Sequence, residues 1–569
     1  MEPSPTNSGA PLTVRFRRLW RLFRSRSKWV QGLAAVLAVV LIGDLVALGV
    51  SGSSTTGVAA PGHSSSNTLG AGSGGPGGGG GAGGTTAAGG AGGAGGAAGG
   101  TAPAGGTVSG GGGGGGSGAG GGAGGTTPLG VGPGGAPLTA SDRGVTPTSI
   151  RVVFPWANLS AFEAAFSFNG SSEDDVTSIH TYVDDINAHG GINGRRIDPE
   201  IVSYDPTNDA DMKAKCQQWT QVEKVFAVID TYAWHDDNQL CVTQQGHTPL
   251  LSGWTSVSNQ LNQGSPYLWW TGNEQVAALE NLVSWARGAG LLTKSTKFGV
   301  LYADRSSDSA VRQQFGAALA RAGLSPADVE TMHYDALDQS QATAQGSIAV
   351  HNFQIKGVTV VLPLIPVTTL TTYLTNEKLQ AFFPRLLLSD FEQSISAGLG
   401  LLDSGAFDAP LNNQLGTTSL VLGNSDGPKT EGAAPGYSPA EADCWHVFVA
   451  HNPKYAGTSG SPWHGFIEST GTAETWCQNI RLFAAAARLA GPNLTRDGFD
   501  TAMATLSSFP GTVVPNLSFG PSQRAGSHLA RVVRIHKNSD SACPAKQYDN
   551  TPQGTCWMIA QDFQPMQRI

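Results

Sequence analysis

Residues 176–202 constrain the fold of this chain more than any other stretch. Val176, Ile179, Val183 and Ile186 recur at helical spacing and make one apolar face. Gly190 and Gly191 follow, supplying the left-handed backbone that ends a helix. Asn193 and Gly194 then turn the chain into a strand containing Ile201 and Val202. A helix, a tight turn and a strand are one step of an α/β unit, and the alternation continues on both sides. A strand is expected at 150–154, with a helix starting near Ser171 and Ser172, where Asp174 and Asp175 are capping-box partners. Strands at 225–229 and 248–252 each precede a polar turn, and LWWTGN at 268–273 closes that set. The pattern then restarts with a strand at 297–304, a helix at 309–322, a strand at 358–364, a helix at 368–382 and a strand at 385–389. Such alternation implies parallel sheets with right-handed crossovers, and two sets imply two lobes.

The segments before this domain have a different character. Residues 1–28 form a basic N-terminus, with Arg15, Arg17, Arg18, Arg21, Arg24, Arg26 and Lys28 and no acid among them. Residues 29–50, WVQGLAAVLAVVLIGDLVALGV, are long enough to cross a bilayer core of roughly 30 Å as a helix. The basic flank stays cytoplasmic, so the bulk of the chain is expected outside as the ectodomain of a single-pass signal anchor. Asp44 is costly deep in lipid and tolerable near the outer end. The alternative is secretion after signal cleavage at the small-x-small run Ala47, Leu48, Gly49. No cysteine stands near the segment's end to accept a lipid. Residues 51–140 read as a flexible linker, because over half of positions 71–130 are glycine and such a sequence buries too little apolar surface to fold. Its glycine runs are compositional and are not phosphate-binding loops.

The net charge of −8 includes that basic N-terminus, so residues 146–569 are distinctly acidic and no nucleic acid partner is expected. The six cysteines all lie beyond residue 200 and suit an oxidising compartment. They fall as local pairs, Cys216 with Cys241, Cys444 with Cys477, and Cys543 with Cys556. This connectivity is one of about 15 and rests on proximity. A zinc site would need CxxC or closely spaced histidine pairs, which are lacking, so no metal is expected.

The run Asn187, Ala188, Gly190, Gly191, Ile192, Asn193, Gly194, Arg195 resembles the N-A-x-G-G-I-N-G-R stretch of type I periplasmic binding proteins, a family that includes the branched-chain amino acid receptors. The resemblance is strongest from 149 to 390 and thinner after 400. It implies a two-lobed α/β fold, each lobe a parallel sheet flanked by helices. Lobe 1 would comprise about 146–270 and 424–508, and lobe 2 about 271–423 and 509–569. The return to lobe 1 is placed near 416–427. Relatives often bridge the Cys216–Cys241 region, which favours that pair.

Open α/β sheets bind ligands beyond the carboxyl ends of their strands. That rule nominates Trp156 and Asn158 after the first strand, and Tyr232, Trp234 and His235 after 225–229. It nominates Trp254, Thr255 and Ser256 after 248–252, Tyr302 and Asp304 in the second set, and Asp390 after 385–389. The resembled family holds its ligand in the matching loops. Where its amino-acid receptors use hydroxyls to hold a carboxylate, this chain has Trp234, His235, Asp236 and Asp237. The aromatic density, with Trp269 and Trp270 added, favours a ligand with a ring or apolar face, a sugar stacked on one, or an amino-acid-like molecule.

Enzymatic readings fail on local context. The run Gly423, Asn424, Ser425, Asp426, Gly427 fits G-x-S-x-G, yet Pro428 through Gly432 read as loop where a nucleophile elbow needs a helix. No phosphate-binding loop and no H-E-x-x-H motif is present, and no cofactor is expected. The expectation is a membrane-tethered extracytoplasmic solute-binding protein that closes on a small ligand and presents it to an ABC-type permease. The alternative is a sensing or adhesion ectodomain of the same fold.

Overall fold

The computed structural model describes residues 129–158, 172–206, 208–230, 237–253, 257–305, 308–334, 339–391, 407–420, 439–453, 472–536 and 556–569. The first lobe runs through β1 (Ser149–Ala157), α1 (Ser172–Ala188), β2 (Arg196–Tyr204), α2 (Asp209–Gln217), β3 (Ala227–Ile229), α3 (Asp237–Leu240), β4 (Leu250–Ser252), α4 (Ser258–Gln263) and β5 (Leu268–Trp270). Its five strands pair in parallel in the order β2-β1-β3-β4-β5.

The chain then builds α5 (Gln275–Gly288), β6 (Phe298–Ala303), α6 (Ser309–Arg321), β7 (Asp328–Met332), α7 (Gln339–Lys356), β8 (Val360–Leu364), α8 (Val367–Leu379), β9 (Arg385–Ser389), α9 (Asp408–Leu411) and β10 (Leu415–Thr418). It continues with α10 (Pro439–His451), α11 (Thr472–Leu489), α12 (Arg496–Met503), the hairpin β11 (Phe509–Pro510) and β12 (Asn516–Leu517), and finally β13 (Leu529–His536) and β14 (Cys556–Pro565). The second sheet has the order β14-β13-β10-β9-β8-β6-β7. Its β6 to β10 part is parallel, and β13 and β14 add an antiparallel edge. The expected two-lobed α/β architecture with parallel sheets is therefore present, with a mixed second sheet.

Late helices complete the first lobe. Trp476 on α11 packs edge-on against Phe154 of β1 at 6.1 Å, and Phe226 meets Phe483 and Phe499 at 6.3 and 6.0 Å. The second lobe has apolar cores on both faces of its sheet, one built around Phe353, Tyr373 and Leu386, the other around Val300, Phe315 and Leu362.

The G-G-I-N-G-R stretch is a joint at the amino end of the first sheet. Asn187 closes it by accepting from the Ile197 N–H and donating to the Ile197 carbonyl, at 2.8 and 3.0 Å. Gly191 has φ +69°, and a Cβ there would lie 2.0 Å from the Arg195 carbonyl oxygen. Asn193 donates to the Arg488 carbonyl at 3.1 Å, capping α11. Arg195 is 1% exposed, and its guanidinium donates to the carbonyls of Thr146, Pro492 and Thr139 at 2.7–2.8 Å. One buried fork thus satisfies backbone acceptors from three segments.

Three expectations need correction. Residues 129–140, assigned to the linker by their glycine content, pack on the first lobe. Gly130 donates to the Gly194 carbonyl at 3.1 Å, and Leu138 is buried. Leu129, Val131 and Leu138 give this stretch apolar side chains that the glycine-rich runs lack. Residues 509–519, assigned to lobe 2, place Val514, Leu517 and Phe519 in the first lobe's core, so the crossing falls after them. Trp269 and Trp270, expected to add to the ligand's aromatic surroundings, are fully buried.

The expected bridges Cys216–Cys241 and Cys444–Cys477 are formed. The third pair lies outside the described residues at Cys543 and at the side chain of Cys556. Residues 1–28, 29–50 and most of 51–140 also lie outside them, as does 423–427. Among the described residues no helix is long and apolar enough to cross a membrane.

Candidate functional site

Three segments cross between the lobes, and hydrogen bonds gather them. The first follows β5, the second follows β10, and the third runs from β12 to β13. The Trp270 N–H donates to the Arg524 carbonyl at 2.9 Å, Gly526 to Trp270 at 2.8 Å, and Ser527 to Gly272 at 3.1 Å. The first and third crossings therefore lie side by side. Asn273 on the first crossing donates to Ser419 Oγ at 2.9 Å and to Asp390 Oδ2 at 3.1 Å. The Ser419 N–H and hydroxyl donate to the same Asp390 oxygen at 2.6 and 2.8 Å. The carboxyl ends of β5, β9 and β10, from both lobes, thus converge on one cluster. Burial pushes the Asp390 carboxyl above its usual range, against the lowering effect of the bonds from Ser419, Thr418 and Asn273.

A polar network fixes the carboxyl ends of β3, β4 and β5. Gln239 donates to Ser252 Oγ at 3.0 Å and accepts from Trp270 Nε1 at 3.2 Å and Gln260 at 3.3 Å. Asn479 on α11 donates to the Asp230 carbonyl at 2.9 Å. Asp230, Gln239 and Asn479 are buried, so each helps satisfy groups that water cannot reach.

Acids stand in the first turns of the first-lobe helices. Asp175 accepts from Trp476 Nε1 at 2.7 Å. Glu441 in α10 and Glu474 in α11 are both buried. Burial, and then the charge of Glu441, holds the Glu474 carboxyl far above the ordinary range. Arg531 of β13, stacked 3.8 Å from the Phe563 ring centre, feels the charge of Glu441. Burial pushes its guanidinium down to about 10, opposed by Asp562 and Glu441.

The expected ligand residues meet several fates. Trp156 is half-buried against the first-lobe core, and Asn158 is exposed at the end of β1, its N–H bonded to the Tyr204 carbonyl at 2.7 Å. Asp390 sits at the meeting of the lobes. Asp304 accepts from the Tyr334 N–H at 3.1 Å and pairs with His333 Nδ1 at 2.7 Å, tying the ends of β6 and β7. Tyr302 does not join this group. It packs in the second-lobe core against α6, and burial pushes its phenol up to about 12 while Arg312 pulls the other way. Tyr232, Trp234, His235, Trp254, Thr255 and Ser256 lie outside the described residues. Sequence reasoning missed Asn273 and Ser419, which are 146 residues apart and are joined only by the fold.

Two surface depressions lie elsewhere. One of about 610 Å³ runs between α1, α10, α11 and the β11 end, and one of about 460 Å³ lies on the second lobe by α6. Neither borders the crossings. Among the described residues no cluster of histidine, cysteine and acid could hold a metal.

Residues 163–367 match the profile of a family described as periplasmic binding protein. No curated protein sequence matches the chain. Among solved structures, the chain is similar to a solute-binding protein of an ABC transporter from R. palustris, in complex with 4-hydroxybenzoate. The TM-score is 0.51 and the identity 16%, over 74% of this chain and 98% of that one. A fatty acid ABC transporter substrate-binding protein from Thermomonospora curvata gives a TM-score of 0.52 and 18% identity, over 76% and 96%. A branched-chain amino acid ABC transporter from Thermus thermophilus with bound valine gives 0.51 and 13%, over 74% and 97%. The profile and these neighbours are type I periplasmic binding proteins, and at such identities the likeness establishes the fold.

Proposed function

We propose that this chain, whose fold is that of the type I periplasmic binding proteins, is an extracytoplasmic solute-binding protein of the ABC-transporter type. The observation that carries the reading is the Asn273–Asp390–Ser419 cluster, which joins the carboxyl ends of strands from both lobes at the bundled crossings. Ligands of open α/β sheets bind beyond those ends. A molecule bound there contacts both lobes at once, and its binding energy shifts the population toward the closed arrangement. Trp156, Asn158, Asp304 and Asp390 contribute to this cleft, together with Tyr232, Trp234, His235, Trp254, Thr255 and Ser256. The ligand is a small molecule with an apolar or ring face. Its class is consistent with the 4-hydroxybenzoate and valine named with two of the similar structures. The basic stretch and apolar run at 15–50 tether the protein to the membrane, and the closed form presents its ligand to a permease.

The test is a thermal-shift and small-angle scattering screen of the protein with valine, 4-hydroxybenzoate and medium-chain fatty acids, followed by wider metabolite sets. A true ligand raises the melting temperature, because it binds only the folded state, and reduces the radius of gyration. A screen giving neither effect contradicts the reading.

A further inference from the structure

The depression of about 460 Å³ on the second lobe is separate from the hinge and the cleft. It is lined by β6, α6, the loop after α6, and β7. Because β7 is the outermost strand of its sheet, nothing beyond it closes the wall. One face of β7 is engaged by α7, where Glu330 accepts from Asn352 at 2.8 Å and Asp328 pairs with Lys356. The alternate residues Val329 and Thr331 point to the other face, and Val329 is 52% exposed. α6 runs over β6 and leaves them uncovered. Leu319, Leu324 and Val329 make an apolar wall.

Two polar groups face the depression. Tyr302 lines it at 5% exposed, with the charge of Arg312 acting on its phenol. Beside it Arg312, half-buried, makes no ion pair among the described residues, and its one hydrogen bond is a long one to the Arg305 carbonyl at 3.4 Å. A neighbouring cation, Arg305, is by contrast paired with Asp308 at 3.1 Å. An arginine fork and a phenol side by side are donors suited to a carboxylate.

Gly316 supplies a third observation. It sits inside α6, where glycine weakens a helix relative to alanine. No packing demands it, since a Cβ there would meet no atom within 4 Å. It also lines the depression, so the missing side chain keeps the space open.

We propose that this depression is a second ligand site, which takes a small monocarboxylate with an apolar body. The carboxylate lies between the Arg312 guanidinium and the Tyr302 hydroxyl, and the body rests on Leu319, Leu324 and Val329. The volume falls within the range of roughly 300–1,000 Å³ typical of small-molecule sites. An isolated phosphate or sulfate would leave the apolar wall unused.

The experiment is a ¹⁹F NMR titration of the full chain with 4-fluorobenzoate. The wild type should bind saturably. Arg312→Gln should weaken that binding roughly tenfold or more, as loss of a charge-assisted pair does. Gly316→Leu should abolish it by filling the space, while Gly316→Ala should fold at least as well as the parent. Absence of saturable binding to the wild type at millimolar probe overturns the proposal. So does binding that Arg312→Gln and Gly316→Leu both retain, since the probe then sits in the cleft or elsewhere. Should Gly316→Leu fail to fold, Arg312→Gln decides alone, with its melting temperature as the control.

Discussion

Asn273 and Asp390, 117 residues apart in sequence, meet at 3.1 Å where the first crossing leaves β5 and the chain leaves β9. The bond makes a crossing segment answerable to the second lobe's sheet. Asn273→Ala should lower stability by about 1 kcal/mol, because Asp390 keeps both Ser419 donors. Asn273→Asp should do more harm at pH 7 by setting a second carboxylate against the first. That extra cost should shrink as the pH falls, since burial already raises the Asp390 pKa and a proton there removes the repulsion. Urea unfolding across pH measures both effects.

The Cys216–Cys241 bridge links α2 to the segment after α3 beside the β3 and β4 strands, closing a separation of 25 residues. Replacing both cysteines by alanine should cost about 2–4 kcal/mol. Non-reducing peptide mapping should recover this bridge and Cys444–Cys477, and thiols that alkylate at these four positions without denaturant would contradict the pairing.

Arg195 should be irreplaceable by lysine. An ammonium cannot reach the three carbonyls that the planar fork spans, and acceptors left buried cost about 1–3 kcal/mol each. Arg195→Lys should therefore lose on the order of 3 kcal/mol in denaturant unfolding. A loss below about 1 kcal/mol would mean that water or rearranged backbone replaces the fork.

Glu377 is fully buried in the second lobe, and among the described residues no well-formed hydrogen bond reaches either carboxyl oxygen. Burial raises its pKa far above the usual range, against a smaller lowering from Tyr373. The folded state therefore holds a proton that the unfolded state releases near pH 4 (about 4.3 for a free glutamate). Its contribution is fully present below that value, and it declines as the pH rises toward the raised folded pKa. Glu377→Gln removes this dependence. The variant should match the parent near pH 4 and exceed it at pH 8 in thermal melts. Equal pH profiles would show that Glu377 is ionised in the folded protein.

The sequence exposed the strands and helices that carry regular apolar signals. β6, β8 and β9 are runs of buried aliphatic residues, and α1 has a clean apolar stripe. α7 escaped notice because its core contacts are few, Ala342, Ala349, Val350 and Phe353 among polar residues. β14 escaped because its apolar residues, Cys556 to Ala560 and Phe563, do not alternate regularly with polar ones. Aromatic residues misled where a strand end and a core look alike. Trp269 is enclosed by Phe519 at 5.7 Å and by the Arg524 guanidinium at 4.1 Å, and Trp270 by the Gln239 network. Tyr302 was assigned to the cleft by its place near the end of β6, whereas side-chain alternation turns it toward α6. The hinge cluster had no local signal, because only sheet order brings residues 273, 390 and 419 together.

The central claim is that the two lobes close on a small ligand bound at the carboxyl ends of their strands. The most direct measurement is the radius of gyration from small-angle scattering, recorded with and without a molecule that raises the melting temperature, for the parent and for Trp234→Ala. Closure predicts that the ligand compacts the parent, and that the variant needs roughly 5- to 150-fold more ligand for the same compaction, as loss of an aromatic contact worth about 1–3 kcal/mol requires. A stabilising ligand that leaves the radius unchanged, or compaction at equal ligand concentrations in both proteins, would contradict the claim or this residue's part in it, respectively.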